Sequence, residues 1–255
     1  MSETTHKRPP LLYKYTSVEV AKIILKDLTL KFSSPLEFND PFDCDIDLVD
    51  FDFSGQIDDF VRQEISELKK QYKSHPLITE KLDNPEFLHT LYKEAQINKI
   101  RSSKVCCFSL AKDIILMWSH YAEKHAGICL EFNNDSLKKF VSLTDDEYSE
   151  GVVGYTADKK INYVSQDRSF SMQKLYMNKS HSWSHENEYR MFTINDTPGL
   201  QRIYPEFLSA IYFGLRTSED DVSSIKLICK SNGLNNIKFY KATKGVLKVD
   251  FTLCN

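Results

Sequence analysis

Lys179-Ser180-His181-Ser182-Trp183-Ser184-His185-Glu186-Asn187-Glu188-Tyr189-Arg190-Met191-Phe192-Thr193-Ile194 is the stretch on which the reading of this 255-residue chain turns. Its second half predicts a strand, because Tyr189, Phe192, Thr193 and Ile194 are β-formers and neither Gly nor Pro interrupts them. Side chains alternate along a strand, so Glu186, Glu188 and Arg190 are expected on one face. Two carboxylates and a guanidinium side by side are costly to bury unless something polar lies opposite. Two readings follow. Either this is a solvent-facing edge strand whose charges pair with each other to little effect, or it is the wall of a polar cleft.

Outward from that stretch, residues 168–178 read as a helix before it, and Ile211-Tyr212-Phe213-Gly214 as a buried strand after it. Thr217 or Ser218 caps a helix over Asp220 to Lys230, whose first turn is acidic. Residues 237–241 and 247–251 close the chain as strands. Toward the N-terminus, Val105-Cys106-Cys107-Phe108-Ser109 and Ile128-Cys129-Leu130-Glu131-Phe132 are strands flanking a helix over 115–125 that Gly127 ends. Residues 152–155 and 161–164 are candidate strands. From about 56 to 100, Phe60, Ile65, Leu68 and Tyr72, then Phe87, Leu88, Leu91, Tyr92 and Ala95, fall at helical spacing, broken by Pro76 and Pro85. This is a helical insertion of two or three amphipathic helices, and a surface for a protein partner.

Leu11-Leu12-Tyr13-Lys14-Tyr15 is the first strand, and Thr16-Ser17-Val18-Glu19 fits a capping box opening a helix with Val20, Ile23, Ile24 and Leu28 as its apolar stripe. Residues 28–32 form a short strand that runs into a turn-rich loop over 33–43. Residues 1–10, ending in Pro9-Pro10, read as a flexible arm. The expectation is an α+β fold: one catalytic-type domain over 11–255 built on a mixed, mostly antiparallel split sheet, with the insertion at about 56–100.

Composition narrows the function classes. Hydrophobic content of 41% and charged content of 27% are those of an ordinary soluble domain. A formal net charge of −3 supplies no basic field for non-specific nucleic-acid binding. The six cysteines form no CxxC pair, and eight glycines include neither GxxxxGK[ST] nor GxGxxG. The N-terminus has no apolar h-region and no window approaches the ~18 apolar residues of a membrane span. A cytoplasmic protein with reduced thiols and no membrane association is expected.

Several clusters of residues carry chemistry. On the helix over 115–125, Trp118, Tyr121 and His125 share a face, with His120 turned away. Ser109 sits at a strand end, where polar side chains reach ligands. His120 and His125 are five apart, unlike the four that suits two ligands on one helix face, and Trp183 and the strand after it argue against a helix carrying His181 and His185. Cys106 and Cys107 lie in an apolar strand, where thiols are usually inert. Asn39-Asp40-Pro41 either makes a sharp turn unaided or forms a lid, with Asp40 or Asp43 facing Arg190.

Leu12-Tyr13-Lys14-Tyr15, Ser34-Pro35 with Phe38-Asn39-Asp40-Pro41-Phe42-Asp43, Cys107-Phe108-Ser109, Met117-Trp118-Ser119-His120-Tyr121 with His125-Ala126-Gly127, and Trp183 followed by Glu186-Asn187-Glu188-Tyr189-Arg190 resemble the signature of the bacterial domain-of-unknown-function family 2971. The resemblance covers residue 11 to about 216 apart from the helical insertion, and implies no activity. The order of elements is similar to the split sheet of ADP-ribosyltransferases, which act on NAD. That second resemblance implies NAD as substrate and Glu188 as the carboxylate gripping the ribose. Glu186, beside Arg190, would orient or activate the acceptor. Ser109 would shape the nicotinamide pocket, with Trp118 or Tyr121 stacking on the ring beside His120. Tyr13, Lys14 and Tyr15 on the first strand would hold the dinucleotide, Lys14 standing where those enzymes carry Arg or His.

Three functions are thus open. One is an ADP-ribosyltransferase or NAD glycohydrolase, in the setting of a bacterial toxin or phage-defence effector, acting on a protein or nucleic-acid acceptor that the sequence does not identify. Another is a nuclease or phosphodiesterase built on Asn39, Asp40, Asp43, His120 and His125. The third is a non-catalytic sensor or interaction module, in which the polar cluster is a satisfied core.

Overall fold

A computed structural model describes residues 9–55, 57–136, 148–156, 160–164, 168–194 and 199–254. The arm expected over 1–10 lies outside them except for Pro9 and Pro10. In chain order the strands are β1 (Leu11–Thr16), β2 (Thr29–Lys31), β3 (Val49–Asp50), β4 (Lys104–Ser109), β5 (Ile128–Asn133), β6 (Tyr148–Val152) and β7 (Gly154–Thr156). They continue as β8 (Ile161–Asn162), β9 (Asn178–Ser180), β10 (Glu188–Thr193), β11 (Leu200–Arg202), β12 (Leu208–Phe213), β13 (Lys238–Lys244) and β14 (Val249–Leu253). The helices are α1 (Val18–Asp27), α2 (Asp59–Gln71), α3 (Pro76–Lys81), α4 (Pro85–Ser102), α5 (Ile115–Tyr121), α6 (Arg168–Met177) and α7 (Glu219–Ser231).

Eight strands form one sheet in the order β14-β13-β12-β5-β1-β4-β10-β6. Every neighbouring pair is antiparallel except β12 and β13, which are parallel and joined through α7 as a crossover requires. The α+β class and the mixed, mostly antiparallel sheet are therefore as the sequence leads one to expect.

The sheet is held unevenly. β1 pairs with β5 at six positions, from Leu11↔Asn133 to Thr16↔Ile128, but with β4 at one, Tyr13↔Ser109. The strands fork there, and the far half of β4 is met instead by Ser33, which exchanges backbone bonds with Val105. Between these two points the Cys107 carbonyl faces the fork without a strand partner. The Lys14 ammonium donates to it at 3.1 Å, in line with the cost of an unpaired buried carbonyl.

Alternation along the strands makes two different faces. Tyr189 and Met191 of β10 join Leu12, Phe108, Leu130, Ile211 and the inner faces of α1 and α7 in one core. The opposite face is covered in two pieces. α2, α4 and α6 pack over Phe192, while α5 packs with Tyr13, Tyr15, Cys129 and Tyr212. Glu188 and Arg190 emerge on this second face, where the two coverings part.

Local expectations needed correction where packing overrode pattern. Ser17, not Thr16, caps α1, accepting from Val20 N. Of the expected stripe Ile24 is buried while Val20 and Ile23 are exposed, and α1 turns the face carrying Val18, Ala21, Ile24 and Leu25 to the core. Pro76 and Pro85 each sit in the first turn of a helix, where the missing N–H costs nothing. The helix over 115–125 stops at Tyr121. Glu123, Lys124 and His125 then run with φ of 48°, 54° and 71°. That left-handed run is pressed against Gly214, where a Cβ would lie 2.2 Å from the His125 carbonyl oxygen, so only glycine fits.

Candidate functional site

Glu188 opens β10 opposite Ser109 of β4, and its backbone N–H donates to the Tyr155 hydroxyl at 2.8 Å. Arg190, two residues on, shares its face. Glu186 does not lie on the strand. It ends a 3-10 turn over His181–Glu186, and Asn187, at φ 45°, separates it from β10. This corrects the expected 186/188/190 alternation, yet Glu186 still reaches the same place. The Ser109 hydroxyl donates to its carbonyl at 2.7 Å and pins the turn.

Around Arg190 the charges close into a network. Its guanidinium, 0% exposed, makes a paired contact with Asp43 (Nη1 to Oδ1 2.8 Å, Nη2 to Oδ2 2.5 Å). A second pair goes to Glu188, Nε to Oε1 at 2.8 Å and Nη2 to Oε2 at 3.0 Å. Nη1 also donates to the Tyr176 carbonyl at 2.8 Å, so all the N–H donors of the guanidinium have acceptors. Lys179 stands over the same carboxylates, 2.5 Å from Glu186, 3.3 Å from Asp43 and 3.5 Å from Glu188. Three carboxylates face two cations, leaving one formal negative charge. The Tyr121 hydroxyl donates to the other Glu186 oxygen.

The electrostatics follow from that arrangement. Burial pushes the Glu188 carboxyl up, but Arg190 and Lys179 outweigh it and hold it below the ordinary carboxylate range. Burial likewise works against the charge on Lys179, and Glu188, Asp43 and Glu186 override it, raising its pKa. A carboxyl depressed on folding contributes stability above its unfolded value of about 4.3 and loses it as pH falls through the lower folded value. Melting temperature should therefore hold from pH 7 to about pH 5 and fall steeply below about pH 4, with a shallower fall in Glu188→Gln. Thermal melts across that range check it.

Above this floor lies a cleft of about 500 Å³, walled by the fork of the sheet, α5 and the loop before Asp43. Of the residues singled out in the sequence, Tyr13, Lys14, Tyr15, Ser109, His120, Tyr121, Glu186, Glu188 and Arg190 line it. Their roles differ. Ser109 spends its hydroxyl on the Glu186 carbonyl and on Ala111 N, and the Tyr15 hydroxyl donates to the Ala111 carbonyl and accepts from Ile114 N. Burial and then the neighbouring Glu131 push the Tyr13 hydroxyl up. Trp118 is not in the cleft. It is fully buried between Tyr15, His125 and Phe251, with Nε1 donating to the Lys112 carbonyl at 2.8 Å. The expected grouping on the helix is thus inverted: Tyr121 and His120 face the cleft, while Trp118 and His125 pack inward.

Asp43 is the loop carboxylate that meets Arg190, whereas Asp40 caps its own turn by accepting from Phe42 N at 3.0 Å. Of the nuclease set, Asn39, Asp43 and His120 line the cleft, Asp43 already paired with Arg190, whereas Asp40 serves its own turn and His125 stacks on Trp118. Burial pushes the thiols of Cys106 and Cys107 up, away from the nucleophilic thiolate. Among the described residues no group of His, Cys, Asp and Glu is placed to hold a metal ion, and no helix is long and apolar enough to cross a membrane. Lys179 is the site residue that sequence reasoning missed. It precedes Glu186 by seven residues across an irregular turn, and no periodicity connects them.

Residues 117–191 match the model of a family described as "Protein of unknown function (DUF2971)". The DUF2971 match runs from α5 to β10. It therefore carries Tyr121, Lys179, Glu186, Glu188 and Arg190, but not Asp43 or β1. Neither a curated protein nor a solved structure matches the chain.

Proposed function

We propose that the chain cleaves the nicotinamide–ribose bond of an NAD-type dinucleotide in the cleft and passes the ADP-ribosyl group to an acceptor nucleophile or to water. The observation that carries the reading is the Glu188 carboxylate, fixed by both its oxygens on Arg190 at the bottom of a cleft whose floor keeps one formal negative charge. When the C–N bond breaks, its electron pair leaves with nicotinamide, and positive charge develops on the ribose. A preorganised carboxylate stabilises that charge without having to reorganise. The same residual charge favours a cationic nicotinamide ring in the bound substrate. Tyr121 offers an aromatic face, Glu186 would orient the acceptor, and Lys14 and Lys31, which line the cleft, would meet the pyrophosphate.

A second reading is favoured by one observation: every donor of Arg190 is already satisfied within the protein, as in a structural polar core. Under that reading the cleft binds a ligand and does nothing to it. Incubation of the purified chain with NAD separates the two. Release of nicotinamide above the solvent background is expected, and binding with no release over many hours would leave only the second reading.

A further inference from the structure

Glu131 sits in the middle of β5, a central strand with Cys129, Leu130 and Phe132 around it, and is itself buried. Carboxylates are seldom found at such positions without a cationic partner. Its partners here are hydroxyls. Ser209 donates to Oε1 at 2.6 Å and Tyr212 donates to Oε2 at 2.7 Å, while Glu131 also acts electrostatically on the nearby Tyr13 hydroxyl. The Ser209 contact is built by a bulge: the β12–β5 register slips between Leu208 and Ala210, which re-aims the intervening side chain.

Glu131 opens onto a cavity of about 800 Å³, separate from the cleft and sharing with it the Tyr13 side chain. The rings of Tyr13, Tyr212 and Tyr240 stand along it, Tyr212 and Tyr240 stacked with centroids 4.9 Å apart. The Lys112 ammonium lies 5.4 Å from the Tyr13 centroid and 5.4 Å from the Tyr212 centroid. It occupies the faces of two rings, of which Tyr212 donates its hydroxyl to the carboxylate. The Lys112 backbone is held by Trp118 Nε1, and its side chain is only half-buried.

We propose that this cavity is a binding site for an organic ammonium cation, with Lys112 as its internal placeholder. A carboxylate held by two hydroxyl donors and faced by electron-rich rings is the chemistry that selects an alkylammonium. The volume leaves room for a chain well beyond the charged head. The site is independent of the chemistry proposed for the cleft, so either can fail alone.

Calorimetric titration of the intact chain with spermidine, at ionic strength matched with sodium chloride, tests it. One-to-one saturable binding is expected. Affinity should rise roughly ten-fold or more in Lys112→Ala, which vacates the rings, and fall by at least about ten-fold in Glu131→Gln. If Glu131→Gln does not fold, Lys112→Ala still decides. No saturable binding to wild type and to Lys112→Ala, or binding to Lys112→Ala no tighter than to wild type, overturns the proposal. So does a folded Glu131→Gln that binds as tightly as wild type.

Discussion

Arg190→Met is expected to destabilise the protein by about 3–5 kcal/mol, because it leaves the buried carboxylates of Asp43 and Glu188 without their main counter-charge. For a chain of this size that is a fall in melting temperature of about 6–10 °C. The magnitude separates two accounts of the same residues, since an exposed Glu–Arg pair on an edge strand would contribute less than about 1 kcal/mol. Adding Asp43→Asn to Arg190→Met should recover part of the loss, as it removes one stranded charge. A purely additive double mutant would show that Asp43 and Arg190 do not depend on each other.

The second large effect is on chemistry. Glu188→Gln keeps the shape of the side chain and leaves Arg190 paired with Asp43, so the fold should survive with a native circular-dichroism spectrum. Loss of the carboxylate that faces developing positive charge should reduce NAD-dependent nicotinamide release by about 100- to 1,000-fold. Comparison of initial rates at saturating NAD checks this. Equal rates in the two proteins would remove Glu188 from the reaction.

These two expectations rest on features of unequal legibility. The 188/190 face of β10 was readable because strand alternation is geometric and no bulge interrupts that strand. Asp43 facing Arg190 was one of two options in a loop, and the sequence had no means of showing that Asp40 would spend its carboxylate on its own turn. The error at Trp118 has a specific cause. Helical spacing tells which residues share a face but not which face meets the cleft. A seven-residue helix ending in a left-handed run also takes His125 out of the register assumed for it. Lys179 was invisible for a related reason: a 3-10 turn and a positive-φ asparagine fold it back over the carboxylates, and neither leaves a periodic trace. Glu131 sat in plain view inside an apolar run, and reading that run for its strand propensity alone hid the carboxylate within it.

The fork between β1 and β4 links fold to site. Where one strand pairing ends after Tyr13↔Ser109, backbone groups need other partners, and the space so opened becomes the cleft. Ser109 stands at that point and holds Glu186, while Lys14 reaches the Cys107 carbonyl from the other strand. The same discontinuity brings polar side chains from five separate segments to the lining of one cleft.

A crystal structure of the chain with NAD bound is the most direct measurement. The nicotinamide ribose is expected in the cleft within hydrogen-bonding distance of the Glu188 carboxylate, with the nicotinamide ring against Tyr121. A cleft left empty at saturating NAD, or a dinucleotide whose ribose lies beyond the reach of Glu188, would contradict the account.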